Sequence, residues 1–307
     1  MTLVIATCTN RKRKPIHDSL HMAALPPAPI ADLVGDWVQR VIAAPEAFPA
    51  REIYGGRSFR EARIAADLLD AQMMVVSAGL GLISAEARVP PYACTVLISS
   101  PDSIVARVVG DYSVAEWWRS LGEASPFSQS LQQAALETDG LICAALSDAY
   151  IDMIAAELCA LSDDLLTRLR LFTRAPLSRV PPVLRSFVMP YDDRLDGPDS
   201  LVRGTRGDFA GRALHHFAQF IVHKNDNRSS SEHSEAVLAA IANWRMPTRF
   251  DRRRIEDSAV LELLREHWQA EQGSTARLLR RFRDHLGVAC EQGRFASLAH
   301  QVRNERA

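Results

Sequence analysis

Short, continuously apolar runs alternate with amphipathic stretches over the first two thirds of the chain. Leu3–Ala6, Met73–Ser77 and Asp139–Leu146 each read as a strand with apolar residues at successive positions, the pattern of a parallel strand covered on both faces. Leu169–Thr173 and Phe187–Pro190 are two further β-rich runs, and Tyr92–Ile98 is compatible with another strand or an edge hairpin. Between them, Ala31–Ala43 carries Leu33, Val34, Trp37, Val38 and Val41 at helical spacing. Ser58 reads as the cap of a helix over Phe59–Leu69, and Asp111–Ala135 reads as a helix with Trp117 and Trp118 serving the core. The third strand ends in Ser147-Asp148-Ala149-Tyr150 and runs on into a helix through Leu158. This alternation predicts an α/β fold, with a mainly parallel central sheet flanked by helices.

The pattern changes after Asp192–Ser200 (DDRLDGPDS), which is polar and turn-rich. Beyond it, helical spacing covers Asp208–Val222, Ser231–Trp244, Ile255–Ala270, Thr275–Leu286 and Glu291–Val302, with Lys224–Ser231 as a polar loop. The expected organisation is an α/β catalytic domain over residues 1–200 and an all-helical domain over 201–307. Charge follows the same division. Residues 203–307 hold 18 Lys+Arg against 13 Asp+Glu, a net of +5, whereas residues 1–202 carry −6. A basic part on a chain of net charge −1 points to a polyanionic partner. The last two helices have the lengths and the short Gly-containing turn of a helix-turn-helix, placing Arg277, Arg280, Arg281, Arg283, Arg294 and Gln301 where DNA or RNA contact is expected.

In an open α/β sheet, chemistry collects outside the carboxyl ends of the strands. Three such ends are rich in candidates. The first strand runs into Thr7-Cys8-Thr9-Asn10 and then Arg11, Lys12, Arg13 and Lys14, hydroxyls followed by four cations suited to phosphate. The second runs into Ser77-Ala78-Gly79-Leu80-Gly81, where two glycines allow a sharp turn or a close approach to a ligand. The third presents Ser147 and Asp148. Arg57 beside Gly55-Gly56 adds a possible anion site at a helix start, and Val89-Pro90-Pro91 positions Tyr92, which could stack on a ring or simply pack. Cys8 invites a nucleophile reading, though a buried cysteine near a strand end is commoner.

Composition removes several classes. With 47% hydrophobic and 24% charged residues the chain of 307 residues is that of an ordinary globular protein. No apolar run is long enough to span a membrane, no signal peptide is expected, and five cysteines without CxxC spacing argue against a disulfide framework or a structural zinc. A cytoplasmic location is expected. The phosphate-binding lysine loop, GxGxxG, HExxH and GxSxG are all missing, which sets aside the familiar nucleotide hydrolysis, dinucleotide redox, zinc protease and α/β-hydrolase chemistries.

Three pieces carry a family resemblance. VIATCTNRKRKP followed by DSLH resembles the opening of the lysine-transferase domain of archaeosine synthase. REIYGGRSFREA, VVSAGLGLI and VPPY resemble bacterial proteins related to the YaaA peroxide-stress family. The resemblance covers Leu3–Asn10, Lys14–His21, Arg51–Ala62, Val75–Ile83 and Pro90–Tyr92, and none of the C-terminal part. It implies a uracil-DNA-glycosylase-like fold, shared with phage-defence DNA glycosylases that excise glucosylated hydroxymethylcytosine. One departure matters: Ile16-His17-Asp18-Ser19 stands where the transferase domain has a Ser-rich segment. That points away from lysine transfer, since a carboxylate suits hydrolysis by orienting water and stabilising an oxocarbenium ion.

The resulting expectation is a DNA glycosylase acting on a modified base in duplex DNA, without metal or cofactor. Asp18, or failing that Asn10, positions water. Thr7, Cys8, Thr9, Ser77, Gly79, Leu80, Gly81, Ser147 and Asp148 form the base pocket, with Tyr92 stacking on the base. Arg11, Lys12, Arg13, Lys14 and Arg57 grip phosphates, joined by Arg277, Arg280, Arg281 and Arg294. Two alternatives stay open: a transferase or hydrolase on tRNA or a free nucleoside, and a non-catalytic protein that binds modified DNA. The oligomeric state is open too.

Overall fold

The computed structural model describes residues 1–223, 226–248 and 252–306. The chain divides into two compact units, Met1–Pro247 and Thr248–Ala307. The first is built on a five-stranded sheet of β1 (Leu3–Thr7), β2 (Gln72–Ser77), β3 (Gly81–Ser84), β4 (Ile142–Ala145) and β5 (Leu169–Phe172). Their order is β3-β2-β1-β4-β5, with β3 antiparallel and the rest parallel. Every residue of β1 is buried, which is why the run is apolar at successive positions rather than at alternate ones.

Helices flank the sheet. α1 (Ile30–Ile42) and α3 (Val114–Ala124) pack side by side, and α3 also packs on α4 (Asp148–Cys159). α2 (Arg57–Leu68) packs on β1, and α5 (Phe209–Phe220) lies against both α2 and the β4–β5 side of the sheet. The α2–α5 approach is close because residue 211 is glycine: a Cβ there would sit 2.3 Å from the Ser58 carbonyl oxygen. No described helix is long and apolar enough to cross a membrane.

Several boundaries differ from the sequence reading. The expected strand Phe187–Pro190 does not form: Phe187 ends a 3-10 segment, Pro182–Phe187, and Val188 touches β5 through an isolated Leu171–Val188 bridge. Proline at its start fixes φ for the tighter turn. The sheet's fifth member is instead β3, formed as the chain doubles back through Gly79 and Gly81. Tyr92–Ile98 makes only isolated bridges. Asp111–Ala135 breaks at Ser125-Pro126 into α3 and a short helix, Leu131–Leu136, with Ser113 and Ser130 as their caps. Helix α2 starts two residues earlier than expected, at Arg57, so Ser58 lies inside it.

The expected boundary at residue 200 is not where the units part. Leu195 is fully buried, and Arg212 on α5, also fully buried, donates to Leu195 O at 2.8 Å, Val202 O at 3.1 Å and Asp208 Oδ1 at 2.6 Å. α6 (Ser230–Ala240) adds Val237 to the same core. Residues 201–247 are therefore part of the first unit, because a buried arginine needs those carbonyls as partners. The second unit has its own core of Val260, Leu264, Trp268, Leu278, Phe282 and Phe295. It comprises α7 (Asp257–His267), α8 (Thr275–Asp284) and α9 (Gln292–Asn304). A short parallel pair, β6 (Arg253–Arg254) with β7 (Val288–Ala289), makes it mostly rather than wholly helical.

Candidate functional site

The parallel register brings Thr7, Val76 and Ala145 to one edge of the sheet. There β1 gives way to Cys8, whose amide donates to Val76 O at 3.0 Å, and the chain leaves the sheet through Thr9 and Asn10. The loop is then sewn to the α2 approach: Gly55 N donates to Arg11 O and Arg13 N to Ile53 O, at 2.9 and 2.8 Å. Gly56 N reaches Thr9 Oγ1 at 3.3 Å, and a Cβ on Gly56 would fall 2.5 Å from Thr9 Cγ2. Glycine at 56 is what lets the first turn of α2 come down on the Thr9 loop.

A cavity of about 430 Å³ opens at this edge. Thr7, Cys8, Thr9 and Asn10 form one wall, and Ser147, Asp148 and Tyr150 at the start of α4 form another. Ser58 of α2, Arg174 after β5, Thr95 and Leu97 contribute further, and the Arg206–Ala210 region closes it. Six residues named from sequence, Thr7, Cys8, Thr9, Asn10, Ser147 and Asp148, are thus brought together. Tyr150 Oη sits 3.0 Å from Cys8 Sγ, and burial pushes the Tyr150 phenol well above its ordinary value, so it stays protonated. Cys8 is buried and occupied by this contact, which is the packing role rather than the nucleophile's.

α5 runs on from a 3-10 turn, Arg206–Asp208, closed by a Thr205–Asp208 capping box, whereas the amino ends of α2 and α4 line the cavity at Ser58 and at Ser147–Asp148 with no side-chain cap. Partial positive charge at each favours an anion. Arg174 adds a fixed cation, held by Asp193 and by Asp196 at 2.8 Å, with its guanidinium 5.4 Å from the Phe209 ring centroid. Arg206 is exposed at the rim. Asp148 is the single carboxylate among the lining residues, and its nearest cation, Arg179, is 3.7 Å away. A cavity lined by hydroxyls and uncapped helix amino ends suits a small anionic group.

Other expected site residues lie elsewhere. Asp18 is exposed at the start of a 3-10 turn, Asp18–Leu20, and lines no part of the cavity. Ser77, Gly79, Leu80, Gly81 and Tyr92 are buried. Their loop is spoken for by the core: Trp37 Nε1 donates to Gly79 O at 2.7 Å, Trp117 Nε1 to Ala78 O at 2.9 Å and Ser125 Oγ to Leu80 O at 2.8 Å. Gly79 is required because a Cβ would lie 2.7 Å from the Tyr92 ring, and Gly81 because its φ is +86°. Tyr92 stacks on no open space; its hydroxyl meets Ser77 Oγ at 2.6 Å and Tyr54 Oη at 3.3 Å.

The basic run divides by direction. Lys12 turns inward, its Nζ 4.6 Å from the Tyr92 ring centroid and donating to Thr9 O, and burial lowers its pKa. Lys14 lies 3.4 Å from Glu52, while Arg11 and Arg13 are exposed. Arg57 donates to Arg203 O at 2.6 Å and neighbours Asp208 at 3.6 Å. In the second unit Arg277 meets Gln272 at 2.8 Å, Arg281 meets Glu271 at 3.1 Å and Arg294 Nε meets Asp257 at 2.7 Å, with Arg280 exposed. Among the described residues, no three His, Cys, Asp or Glu side chains gather as a metal-binding group.

Sequence reasoning missed Tyr150, Ser58, Arg174 and the Arg206–Ala210 wall. Tyr150 is reachable, since it follows a strand whose carboxyl end the sequence places at that edge; Arg174 follows Leu169–Thr173, a strand whose end the sequence reading does not place. Ser58 was read as a cap, and the Arg206–Ala210 wall fell beyond the expected domain boundary. No protein-family model, curated protein or solved structure matches this chain.

Proposed function

We propose that the first unit hydrolyses the N-glycosidic bond of a nucleotide in DNA, releasing a modified base and leaving an abasic site, as an antiphage glycosylase would. The observation that carries this reading is the position of Asp148. It is a carboxylate at the carboxyl edge of the sheet, beside a hydroxyl-rich loop and two uncapped helix amino ends. In this scheme the base leaves with the bonding electrons as positive charge develops on the sugar. Asp148 holds a water against the sugar carbon and accepts its proton. Thr7, Thr9 and Asn10 offer hydroxyl and amide partners to the flipped base, and the helix ends with Arg174 receive a phosphate beside it. Asp148 takes over the part that sequence had given to Asp18.

The test is incubation of the purified chain with plain and with glucosylated hydroxymethylcytosine duplex DNA, followed by alkaline cleavage at abasic sites. Breaks confined to the modified duplex support the reading. Intact strands in both overturn it, and retarded but uncut DNA would leave a binding protein.

A second reading, a hydrolase or transferase on a free nucleotide, is favoured by one feature. Two uncapped helix ends and Arg174 line one cavity of about 430 Å³, enough for a monomer's own phosphate. Release of base from nucleoside monophosphates, with no cleavage of either duplex, would select it.

A further inference from the structure

The second unit has a cleft of about 550 Å³ beside the β6–β7 pair, and four arginines line it: Arg252, Arg254, Arg283 and Arg294. Three of these guanidiniums are anchored on backbone carbonyls. Arg252 Nε donates to Arg283 O at 2.8 Å, Arg283 Nη2 to Cys290 O at 3.1 Å and Arg294 Nη2 to Ile255 O at 2.9 Å. Pairing of Arg254 with Ala289 in the β6–β7 register sets the fourth beside the same wall.

Carboxylates offset only part of this charge. Asp284 lies 3.2 Å from Arg252, and Asp257 lies 2.7 Å from Arg294 Nε. Glu291, the one acid lining the cleft, accepts the Gly293 and Arg294 amides at 2.8 Å each and so is committed to the first turn of α9. Among the described residues, neither Arg254 nor Arg283 has a carboxylate oxygen within 4 Å, though the charge of Arg283 acts on Glu291.

We propose that this cleft holds phosphate groups of a nucleic-acid backbone. Guanidinium presents a planar fork that matches phosphate oxygens, and anchoring three of the four in advance reduces the entropy lost on binding. The rest of the lining is Ala289 and Cys290, with no aromatic or large aliphatic side chain. A membrane surface or a protein partner would draw on such apolar anchors, whereas nucleic-acid interfaces are polar and strongly positive. The site differs from the one expected on the last two helices: Arg294 is common to both, but Arg277, Arg280 and Arg281 lie outside the cleft. The inference rests on the DNA reading of the chain, yet it is measured as binding, without any reaction.

The experiment is fluorescence anisotropy of the full-length chain on a labelled duplex of about 20 base pairs, over a salt titration. Arg254→Gln and Arg283→Gln are each expected to weaken binding about fivefold near 0.1 M salt and to reduce the slope of log K on log salt by about 0.9. Arg254 is exposed, so its replacement leaves the core intact. Arg119→Gln, exposed on α3 of the first unit, should change affinity less than twofold. Unchanged binding by Arg254→Gln overturns the proposal, as does displacement of DNA by polyglutamate at equal charge. Cleft-dependent binding in a protein that releases no base would sink the glycosylase reading and still support the cleft.

Discussion

Cys8 and Tyr150 are 142 positions apart in the chain and meet at 3.0 Å, Sγ to Oη, on the floor of the cavity. The contact joins the carboxyl end of β1 to the first turn of α4. Asp148 is two positions before Tyr150 on that turn, so the packing that buries the thiol also fixes the turn that brings Asp148 to the cavity lined by Thr7–Asn10.

Asp148→Asn keeps the shape and removes the base. If Asp148 holds the attacking water, base release from modified duplex should fall by about 100-fold or more, the usual worth of a general base. Because Asp148 is partly exposed, the thermal midpoint should move little. Retained activity would remove Asp148 from the mechanism.

Asp18→Ala should leave base release within about twofold of wild type. The side chain is exposed and lines no cavity, and surface substitutions of this kind shift stability by under about 0.5 kcal/mol. A large loss of activity, measured in the same abasic-site assay, would return Asp18 to the site.

The difference between these two aspartates shows what was legible in the sequence. Strand ends were readable, because fully buried parallel strands are apolar at every position, and that located Thr7, Cys8, Thr9, Asn10, Ser147 and Asp148. Side-chain direction was not. Lys12 reads as a phosphate grip in a run of four cations but folds under the Tyr92 ring, and Gly79 reads as a ligand loop but makes room for Tyr92. Nothing local distinguishes a glycine that admits a ligand from one that admits a tyrosine. The Arg206–Ala210 wall was out of reach for another reason: a turn-rich segment looks like a linker until a buried arginine is seen to need its carbonyls.

Gly211→Ala tests the α2–α5 contact that sets Ser58 at the cavity. The new methyl would meet the Ser58 carbonyl oxygen at 2.3 Å, and backbone on both sides leaves no flexible side chain to move aside. A loss of about 1–3 kcal/mol is expected from such overpacking, read as a lower urea midpoint with an unchanged slope. An unchanged midpoint would mean that the helices separate at no cost.

His216 gives the first unit a pH dependence with a defined sign. It is buried among Tyr191, Phe220 and Trp244, and its Nδ1 is 2.8 Å from Tyr191 Oη. Burial, with a smaller contribution from neighbouring His215, lowers its pKa from 6.5 to about 4. The unfolded chain therefore takes up a proton near pH 6.5 that the folded chain refuses until about pH 4. Stability from this group is complete above the unfolded pKa and is lost as pH falls toward the folded one, at up to about 1.4 kcal/mol per pH unit. His216→Gln retains an acceptor for Tyr191 and has nothing to titrate. Between pH 7.5 and 5 its urea midpoint should fall less than that of wild type, and equal slopes in the two proteins would place the pH dependence elsewhere.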